Sequence, residues 1–289
     1  MRAVAIFGRN TRAGDLAPFR RADLDAHITR AHSPEAGVDA VLILGGDGTV
    51  HRHLATLVET QVPLLIVPGG SANDFARSLG LHSKRDAIAA WEQFCRGAGN
   101  ICEIDLGKIV PLADKDASTA QTGNSVLFTC IAGVGLDSEA NRRANAMPPW
   151  LRARGGYIYS ALVEIARWTP LRITVSAPTK TLSEPATFVA IGNAPTYGDG
   201  MKMAPRARLD DGLLDVCFVR RTSKRRLLAF FPTVFFGRHL ELPEVEYFQT
   251  PSLRLETERR MDVYADGEYV CKTPVEISVK NRALRVISA

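Results

Sequence analysis

Four glycine-containing turns in this chain carry side chains that can take part in chemistry. The first turn, GGDGT at residues 45–49, lies between an apolar run and a segment with helical spacing. Glycines let backbone N–H groups approach a bound phosphate closely, and the positive end of the following helix points to the same place. Asp47 could hold a metal ion or orient a hydroxyl, whereas the alternative is an ordinary turn in which Asp47 caps the helix. The candidate nucleotide-binding residues here are Gly45, Gly46, Asp47, Gly48 and Thr49.

The second turn belongs to the segment PGGSANDFAR at residues 68–77, where another apolar run ends in glycines and a helix begins. Two such turns at the ends of neighbouring parallel strands are expected to converge on one crevice, which is where open α/β sheets bind ligands. A capped helix start is the alternative for this segment taken alone. The candidate nucleotide-binding residues are Gly70, Ser71 and Asn73.

The third and fourth turns are rich in carboxylates. Residues 204–216, APRARLDDGLLDV, place three aspartates around a glycine just ahead of a β-rich segment. A carboxylate with nearby backbone carbonyls can bind a hard cation, although a solvated Asp-Gly turn is the alternative. The fourth turn, DGE at residues 266–268, is typical of a β-hairpin.

The elements that carry these turns change character along the chain. Apolar runs at residues 3–7, 39–44 and 63–67 alternate with helical segments, which predicts a parallel sheet with helices on both faces. After about residue 100, short β-rich segments predict an all-β sandwich or a partly closed barrel. We therefore expect an α/β domain at 1–115 and a β domain at 116–289, with a cleft between them and the last strand a candidate to return to the first domain.

Composition narrows the class of protein. The 289 residues are 46% hydrophobic and 23% charged, which is ordinary for a globular protein and wrong for a disordered one. The net charge of +5 suits an anionic ligand or membrane surface but is too small to indicate nucleic acid. Five cysteines without paired spacing argue against a disulfide framework or a zinc site. No apolar stretch is long enough to span a membrane, so we expect a cytoplasmic protein.

Taken in order, GGDGT, PGGSANDFAR, APRARLDDGLLDV and DGE strongly resemble the diacylglycerol kinase catalytic-domain superfamily, and within it the bacterial lipid kinases related to sphingosine kinases. The resemblance covers residues 1 to about 285. It implies an α/β nucleotide domain and a β-sandwich lipid domain, with ATP and Mg²⁺ as cofactors. NAD kinases and phosphofructokinases share GGDGT, but the second and third motifs separate this chain from both.

The resemblance also implies roles for individual residues. Gly46, Asp47, Gly48, Thr49 and Ser71 fall at the family's nucleotide contacts, with Asn73 supporting the same loop. A structural Mg²⁺ is implied at the Asp211 side chain and the main-chain oxygens of Arg208 and Leu213. Glu268 matches the proposed general base, and Asp137 a carboxylate linked through water towards the metal region.

Phosphoryl transfer needs a positioned γ-phosphate, neutralised charge and a base near the acceptor hydroxyl. Either Asp47 or Glu268 could be that base, and we favour Glu268 because Asp47 sits on the phosphate-binding turn. One departure from the family pattern is His51-Arg52 after GGDGT, where an Asn-Glu-like pair is frequent. Arg52 could add a phosphate contact or replace a carboxylate role.

A lipid kinase must also reach a bilayer. Residues 223–240 place Lys224, Arg225 and Arg226 before a Phe-rich stretch, which could dip into a headgroup boundary or pack in the core. Residues 142–157, with Trp150 near their centre, could form a membrane-touching flap or a solvated loop. The phenylalanines in question are Phe230, Phe231, Phe235 and Phe236.

The function predicted is an ATP-dependent lipid kinase of phospholipid metabolism that visits the membrane peripherally. Two alternatives stay open: a small-molecule kinase of the NAD kinase type, and a non-catalytic lipid- or nucleotide-binding regulator. Five histidines lack ligand spacing with Cys or Asp, and no role is assigned to them from sequence. These are His27, His32, His53, His82 and His239.

Overall fold

The computed structural model describes residues 1–9, 11–21, 24–112, 125–148, 151 and 155–289. Contacts within it divide the chain into unit 1, Met1–Leu106 with Asn281–Ala289, and unit 2, Gly107–Lys280. The boundary predicted near residue 115 and the flap residue Trp150 lie outside the described residues. The predicted fold class, an α/β N-terminal part followed by a β-rich part, is confirmed.

The described strands are β1 (Arg2–Phe7), β2 (His27–Arg30), β3 (Ala40–Gly45), β4 (Leu64–Pro68), β5 (Ile101–Pro111), β6 (Val126–Phe128), β7 (Ile131–Gly135), β8 (Leu171–Ser176), β9 (Thr181–Gly192), β10 (Leu214–Arg220), β11 (Val245–Thr250), β12 (Ser252–Thr257), β13 (Asp262–Ala265), β14 (Glu268–Lys272) and β15 (Val275–Ile287). The described α-helices are α1 (Asp47–Thr60), α2 (Asp74–Ser78), α3 (Lys84–Cys95), α4 (Leu136–Asn145), α5 (Tyr157–Arg167) and α6 (Lys224–Phe230). Short 3-10 helices cover Ala13–Phe19, Phe231–Phe236 and Arg238–Glu241.

Unit 1 is built on a parallel sheet with the strand order β2-β1-β3-β4, and the end of β15 lies beside β4. The whole of β3 is buried, as expected for a strand of a parallel sheet covered on both faces. Helix α1 buries Val50, Leu54 and Leu57, whose spacing forms one apolar face. Ser83 and Asp86 form a capping box that starts α3. These features give the predicted alternation of strands and helices.

Unit 2 is built from antiparallel strands in the order β14-β13-β7-β9-β8-β12-β15. The long strand β9 also pairs with β10, which pairs in turn with β11. Helices α4 and α5 pack on each other, and an ion pair between Arg143 and Glu164 joins them. The sequence predicted β-rich segments in this part of the chain and did not predict α4.

Candidate functional site

The first two glycine turns meet at the carboxyl ends of β3 and β4. These strands pair in parallel with Gly45 opposite Pro68, and the Gly69 N–H donates to the Gly45 carbonyl at 3.0 Å. A Cβ atom built on Gly46 would lie 2.8 Å from the Cα of Gly70, and one built on Gly70 would lie 2.6 Å from the Cα of Gly46. The predicted convergence of the two turns is therefore confirmed, and neither position has room for a side chain.

Asp47 connects the two turns through its carboxylate. Its Oδ2 accepts the Asp74 N–H at 3.0 Å, and its Oδ1 accepts the Phe75 N–H at 3.1 Å. Both donors lie in the first turn of α2, where backbone N–H groups lack partners within the helix. Asp47 therefore caps α2 from the first turn of α1, a contact between distant segments that the sequence-based alternatives did not include.

Asn73 supports the second turn. Its backbone is left-handed, with φ of +54°, and its side chain accepts the Gly70 N–H at 2.7 Å and donates to the Gly70 carbonyl at 2.9 Å. The Gly70 N–H is thus engaged within the loop. Ser71, between them, is exposed. This geometry gives Asn73 and Gly70 a structural role in the loop and leaves the Ser71 side chain accessible to a ligand.

The first two turns of α1 also carry Thr49 and Arg52. Thr49 is buried, and Cβ atoms built on Gly8 or Gly45 would lie within 2.9 Å of its hydroxyl oxygen. Arg52 turns back along the helix, so that its Nε donates to the Gly48 carbonyl at 3.1 Å. Its guanidinium places a positive charge beside the glycine turn, in keeping with the phosphate contact considered from sequence.

The end of a third strand, β1, reaches the same place, and the sequence did not predict this contact. The Gly8 N–H after β1 donates to the Leu44 carbonyl at 2.8 Å, and the Thr11 hydroxyl donates to that carbonyl at 2.8 Å. A Cβ on Gly69 would lie 2.7 Å from the Thr11 methyl group. The turn after β1 therefore packs against both glycine turns.

In unit 2, the DGE segment forms the predicted hairpin turn between β13 and β14. Asp266 and Gly267 have φ of +50° and +82°, as a two-residue turn matched to the strand twist requires. The Asp266 carboxylate accepts the N–H groups of Thr129 and Cys130 at 2.7 and 2.8 Å. Asp266 thereby fixes the turn to the segment that leads into β7.

Glu268 is the first residue of β14, opposite Ala265, and it is exposed. Its neighbour Tyr269 is also exposed and packs edge-to-face on Tyr264, with the ring centroids 5.8 Å apart. Because Asp266 fixes the turn, Glu268 occupies a defined position while its side chain faces solvent. A carboxylate in this environment is accessible to a substrate hydroxyl.

Asp137 lies buried in the first turn of α4, which the sequence did not predict to be helical. A Cβ on Gly133 would lie 2.0 Å from its Oδ2, so the carboxylate occupies space that only glycine leaves. Asn141 donates to the Asp137 carbonyl at 3.0 Å, and Asn145 donates to the Gly267 carbonyl at 2.7 Å. Helix α4 therefore brings Asp137 to the same corner of unit 2 as the DGE turn.

The third turn leads into β10. Asp211 is exposed; its Oδ1 accepts the Leu213 N–H at 3.1 Å, and Gln249 Nε2 donates to its Oδ2 at 3.5 Å. Arg208 is exposed and pairs with Asp210 at 3.2 Å. Gly212, at φ of +73°, makes the turn.

A second carboxylate lies behind this turn. Asp215 is fully buried, and it accepts the Tyr247 hydroxyl at 2.6 Å and the Gln249 amide at 3.2 Å. Burial raises the pKa of Asp215, and the Asp211 carboxylate raises it further. Burial also raises the pKa of Tyr247, as does its hydrogen bond to Asp215. This environment concentrates negative charge behind Asp211.

The residues of this turn fit the Mg²⁺ that the resemblance implies. An exposed carboxylate with main-chain oxygens is an all-oxygen donor set, which hard cations prefer, and exposure leaves room for bound water. In the described part of the chain, no three His, Cys, Asp or Glu side chains cluster around a potential metal site. A cation at Asp211 would therefore depend on the main-chain oxygens of Arg208 and Leu213, as the resemblance implies.

The Phe-rich segment divides between core and surface. Phe230 is buried against His239, with the ring centroids 5.8 Å apart, so the hypothesis that Phe230 enters a bilayer is wrong. Phe231 and Phe235 are half-buried and pack on each other, while Phe236 is 74% exposed. Helix α6 ends at Phe230, two residues before Pro232, since proline disfavours continuation of an α-helix. Only part of the segment is thus available to a membrane.

His239 joins this segment to the chain before the third turn. The ring is fully buried, and its Nε2 lies 3.1 Å from the Met203 carbonyl. The Lys202 N–H donates to the Val234 carbonyl at 3.0 Å. No signal in the sequence distinguished His239 from the other histidines, because its role depends on burial.

Comparison with known proteins bears on the whole chain. The family model described as "Diacylglycerol kinase catalytic domain" matches residues 15–109. The model described as "YegS C-terminal NAD kinase beta sandwich-like domain" matches residues 130–288, more than half of the chain. Together these matches include all four glycine-containing turns.

Individual proteins agree with the family models. A diacylglycerol kinase of Mycobacterium tuberculosis (strain ATCC 25618 / H37Rv) is 36% identical over 274 residues, which covers 91% of this chain and 82% of that protein. A protein of Chromohalobacter salexigens named "Probable lipid kinase YegS-like" is 31% identical over 247 residues, or 81% of this chain and 71% of that protein. The crystal structure of a diacylglycerol kinase from Bacillus anthracis str. Sterne has the same fold, with a TM-score of 0.70 at 20% identity over 100% of this chain and 97% of that one.

Proposed function

Because the chain belongs to the diacylglycerol kinase family of lipid kinases, we propose that it transfers the γ-phosphate of ATP to a hydroxyl of a diacylglycerol-like or sphingoid lipid. The observation that carries the proposal is the contact of Gly46 with Gly70 at the ends of two parallel strands. Bare backbone at the carboxyl edge of a parallel sheet suits the approach of phosphate groups.

Unit 1 supplies the groups that hold the phosphates. The N-terminus of α1 directs the positive end of its dipole at the first turn, and the Arg52 guanidinium adds a full charge beside Gly48. Asp47 keeps the second turn against the first by capping α2, so its contribution to nucleotide binding is to maintain the shape of the site. Preorganised donors of this kind stabilise transferring phosphoryl groups.

Unit 2 supplies the base. In the proposed reaction, the acceptor hydroxyl oxygen forms a bond to the γ-phosphorus while the bond from that phosphorus to the β–γ bridging oxygen breaks, which releases ADP. Glu268 takes the hydroxyl proton, because its carboxylate is exposed on a fixed turn. Asp47 is less suited to this role, since each of its oxygens already accepts a backbone N–H.

Mg²⁺ bound with ATP would neutralise phosphate charge, and a structural Mg²⁺ would be held by the Asp211 side chain with the main-chain oxygens of Arg208 and Leu213. The Asp211 turn contributes the oxygen donors, and the buried Asp215 behind it adds negative charge. The Asp137 carboxylate, buried beside the DGE turn, can orient water in the same corner of unit 2.

Contact with the membrane is proposed for the exposed part of the Phe-rich segment. Phe236 and Leu228 are exposed large apolar side chains of this segment, and the exposed cations Lys224 and Arg225 lie one helical turn before Leu228. Arg226 instead pairs with Glu244. An apolar side chain flanked by basic residues suits a peripheral contact with anionic lipid. In the described part of the chain, no helix is both long and apolar enough to cross a bilayer.

The test is transfer of γ-labelled phosphate from ATP into lipids presented in mixed micelles. The panel would contain diacylglycerol, monoacylglycerol, phosphatidylglycerol, ceramide and sphingosine, with NAD as a soluble acceptor. Glu268→Gln is expected to lower kcat by about 10²-fold or more with an unchanged melting temperature, since the side chain is exposed. Glu276→Gln, which alters an exposed glutamate on β15, is the matched control and should leave the rate unchanged.

The outcomes separate the proposed function from its alternatives. A labelled lipid that disappears in Glu268→Gln and persists in Glu276→Gln would support the reaction and name the acceptor. Label in a soluble acceptor alone would indicate a small-molecule kinase of the NAD kinase type. ATP binding without transfer to any acceptor would contradict the proposal and leave a binding regulator.

A further inference from the structure

Two side chains of β11 face the turn that carries Asp211. Tyr247 and Gln249 are two residues apart on one strand, so their side chains lie on the same face of the sheet. The register of β10 and β11 places Gln249 directly opposite Asp215. Both side chains donate to the Asp215 carboxylate, one to each oxygen. Asp215 is thereby fixed although it is fully buried.

The same two side chains also reach the turn itself. The Tyr247 hydroxyl lies 3.4 Å from the Arg206 N–H, which donates to it, and the Arg206 guanidinium lies 5.8 Å from the centre of the Tyr247 ring. Gln249 Nε2 lies 3.5 Å from Asp211 Oδ2. The turn is therefore contacted near its start, through Arg206, and near its end, through Asp211.

The chemistry of these two donors matters as much as their positions. A carboxamide carries two N–H donors, which is what Gln249 needs to hold Asp215 and Asp211 together. A phenol can donate to Asp215 while it accepts from Arg206. Both groups are neutral, so they orient two neighbouring carboxylates without cancelling their charge. A lysine at either position would form an ion pair and compete with a metal ion.

We propose that Tyr247 and Gln249 are positioning residues that set the affinity of the Asp211 turn for Mg²⁺. This inference rests on the Mg²⁺ site of the proposed function and adds two residues that are not among its metal ligands. Tyr247 holds the start of the turn and fixes Asp215, while Gln249 holds the Asp211 carboxylate in the orientation that its oxygens need to meet a cation. Outer residues of this kind commonly change metal affinity by about 10- to 100-fold when they are lost.

The experiment measures Mg²⁺ binding by the whole chain without nucleotide or lipid. Isothermal titration with MgCl₂ gives the dissociation constant, and the rise in melting temperature with MgCl₂ gives a second readout. The variants are Tyr247→Phe, which removes one hydroxyl, and Gln249→Leu, which removes the amide. Asp211→Asn marks the loss of the site. Gln249 is exposed, so its variant is expected to fold even if Tyr247→Phe does not.

Thr250→Val is the matched control. Thr250 lies next to Gln249 on β11, is buried, and donates its hydroxyl to the Ser252 carbonyl at 2.7 Å. Thr250→Val removes a hydroxyl hydrogen bond from the same strand, as Tyr247→Phe does. The bond that it removes leads to Ser252 and not to the Asp211 turn. A purely structural effect of Tyr247→Phe would therefore be reproduced by Thr250→Val.

Tyr247→Phe and Gln249→Leu are each expected to raise the Mg²⁺ dissociation constant about tenfold or more, with Thr250→Val within about twofold of the unchanged chain. Unchanged affinity in both variants, equal weakening in Thr250→Val, or no Mg²⁺ binding by the unchanged chain would overturn the inference.

Failure of this inference can be told apart from failure of the proposed function. Lipid phosphorylation with unaltered Mg²⁺ affinity in the variants would overturn this inference alone. The expected Mg²⁺ pattern without any phosphoryl transfer would overturn the proposed function alone.

Discussion

The carboxylate of Asp47 caps the helix that contains Phe75, and this contact joins two segments that lie well apart in the sequence. One oxygen accepts the Phe75 N–H at 3.1 Å, and the other accepts the N–H of the preceding Asp74 at 3.0 Å. Since Asp47 is itself in the first turn of α1, the starts of two helices are fixed to each other. The two glycine turns therefore act as one structural unit, and the Asp47 side chain is one of the contacts that hold it together.

Replacement of Asp47 should consequently reduce stability as well as nucleotide binding. Asp47→Ala leaves two N–H groups of α2 without their partner, so we expect the free energy of unfolding to fall by about 1–3 kcal/mol. We also expect phosphoryl transfer to be lost. Urea unfolding followed by circular dichroism measures the first effect, and ATP binding together with the transfer assay measures the second.

Asp86→Ala is the control for this prediction. Asp86 caps α3 by accepting the Ser83 N–H at 2.7 Å, so its loss should lower stability while ATP binding persists. If Asp47→Ala abolished transfer without any cost in stability, Asp47 would have a chemical role rather than a capping one.

The contact between Gly46 and Gly70 gives a second prediction. A methyl group on either residue would lie within 2.8 Å of the other's Cα, and the backbone there has no flexible side chain that could move away. Gly46→Ala and Gly70→Ala should each separate the turns, lower stability by about 1–3 kcal/mol and weaken ATP binding at least about tenfold. Gly14→Ala is the control, because its new methyl group would have no atom within 4 Å. Normal ATP affinity in both turn variants would show that the contact is not needed for binding.

The sequence predicted three strands of the parallel sheet of unit 1, β1, β3 and β4, because each is an apolar run. It missed β2, whose residues are mostly exposed and form no such run. It did not predict the partner of Asp47, since that contact depends on the direction in which α2 leaves its strand. The same limit applies to Asp266, whose carboxylate binds the N–H groups of Thr129 and Cys130 on a distant segment. Hydrogen bonds from a side chain to distant backbone leave no periodic signal in the sequence.

Two elements of unit 2 were missed for a different reason. Helix α4 follows a glycine-rich strand and buries the polar residues Asp137, Ser138 and Asn141, so it lacks the apolar face that predicts a helix. Strand β11 carries Tyr247 and Gln249 at alternate positions, where their contacts to the Asp211 turn replace the burial that marks an ordinary strand. In both cases the residues that obscured the pattern lie at the candidate site.

The exposed phenylalanine of unit 2 gives a third prediction, which concerns the membrane. Phe236 is 74% exposed, so Phe236→Ala should leave the melting temperature unchanged and lower binding to anionic phosphatidylglycerol vesicles severalfold. Phe236→Trp is the matched variant and should retain binding, since Trp favours the membrane interface. Cosedimentation with vesicles measures both. Equal binding by the unchanged chain and Phe236→Ala would remove this residue from any membrane contact.

Buried His239 gives a fourth prediction, which concerns pH. Burial lowers the pKa of His239 below its ordinary value of 6.5, and in the described part of the chain its Nδ1 has no hydrogen-bond partner. The unfolded chain therefore binds a proton at this residue more readily than the folded chain does. The free energy of unfolding should fall as pH decreases below about 6.5, by up to about 1.4 kcal/mol per pH unit until the pKa of the folded state is reached.

His239→Gln should remove this part of the pH dependence, because glutamine can still donate to the Met203 carbonyl but does not titrate. Burial also lowers the pKa of His53, an effect of the same sign that is present in both proteins. The difference between the two curves therefore isolates His239. Urea unfolding between about pH 7.5 and about pH 5 should give a shallower dependence in the variant. Parallel curves would mean that His239 becomes protonated equally in the folded and unfolded states, and that its burial against Phe230 carries no electrostatic cost.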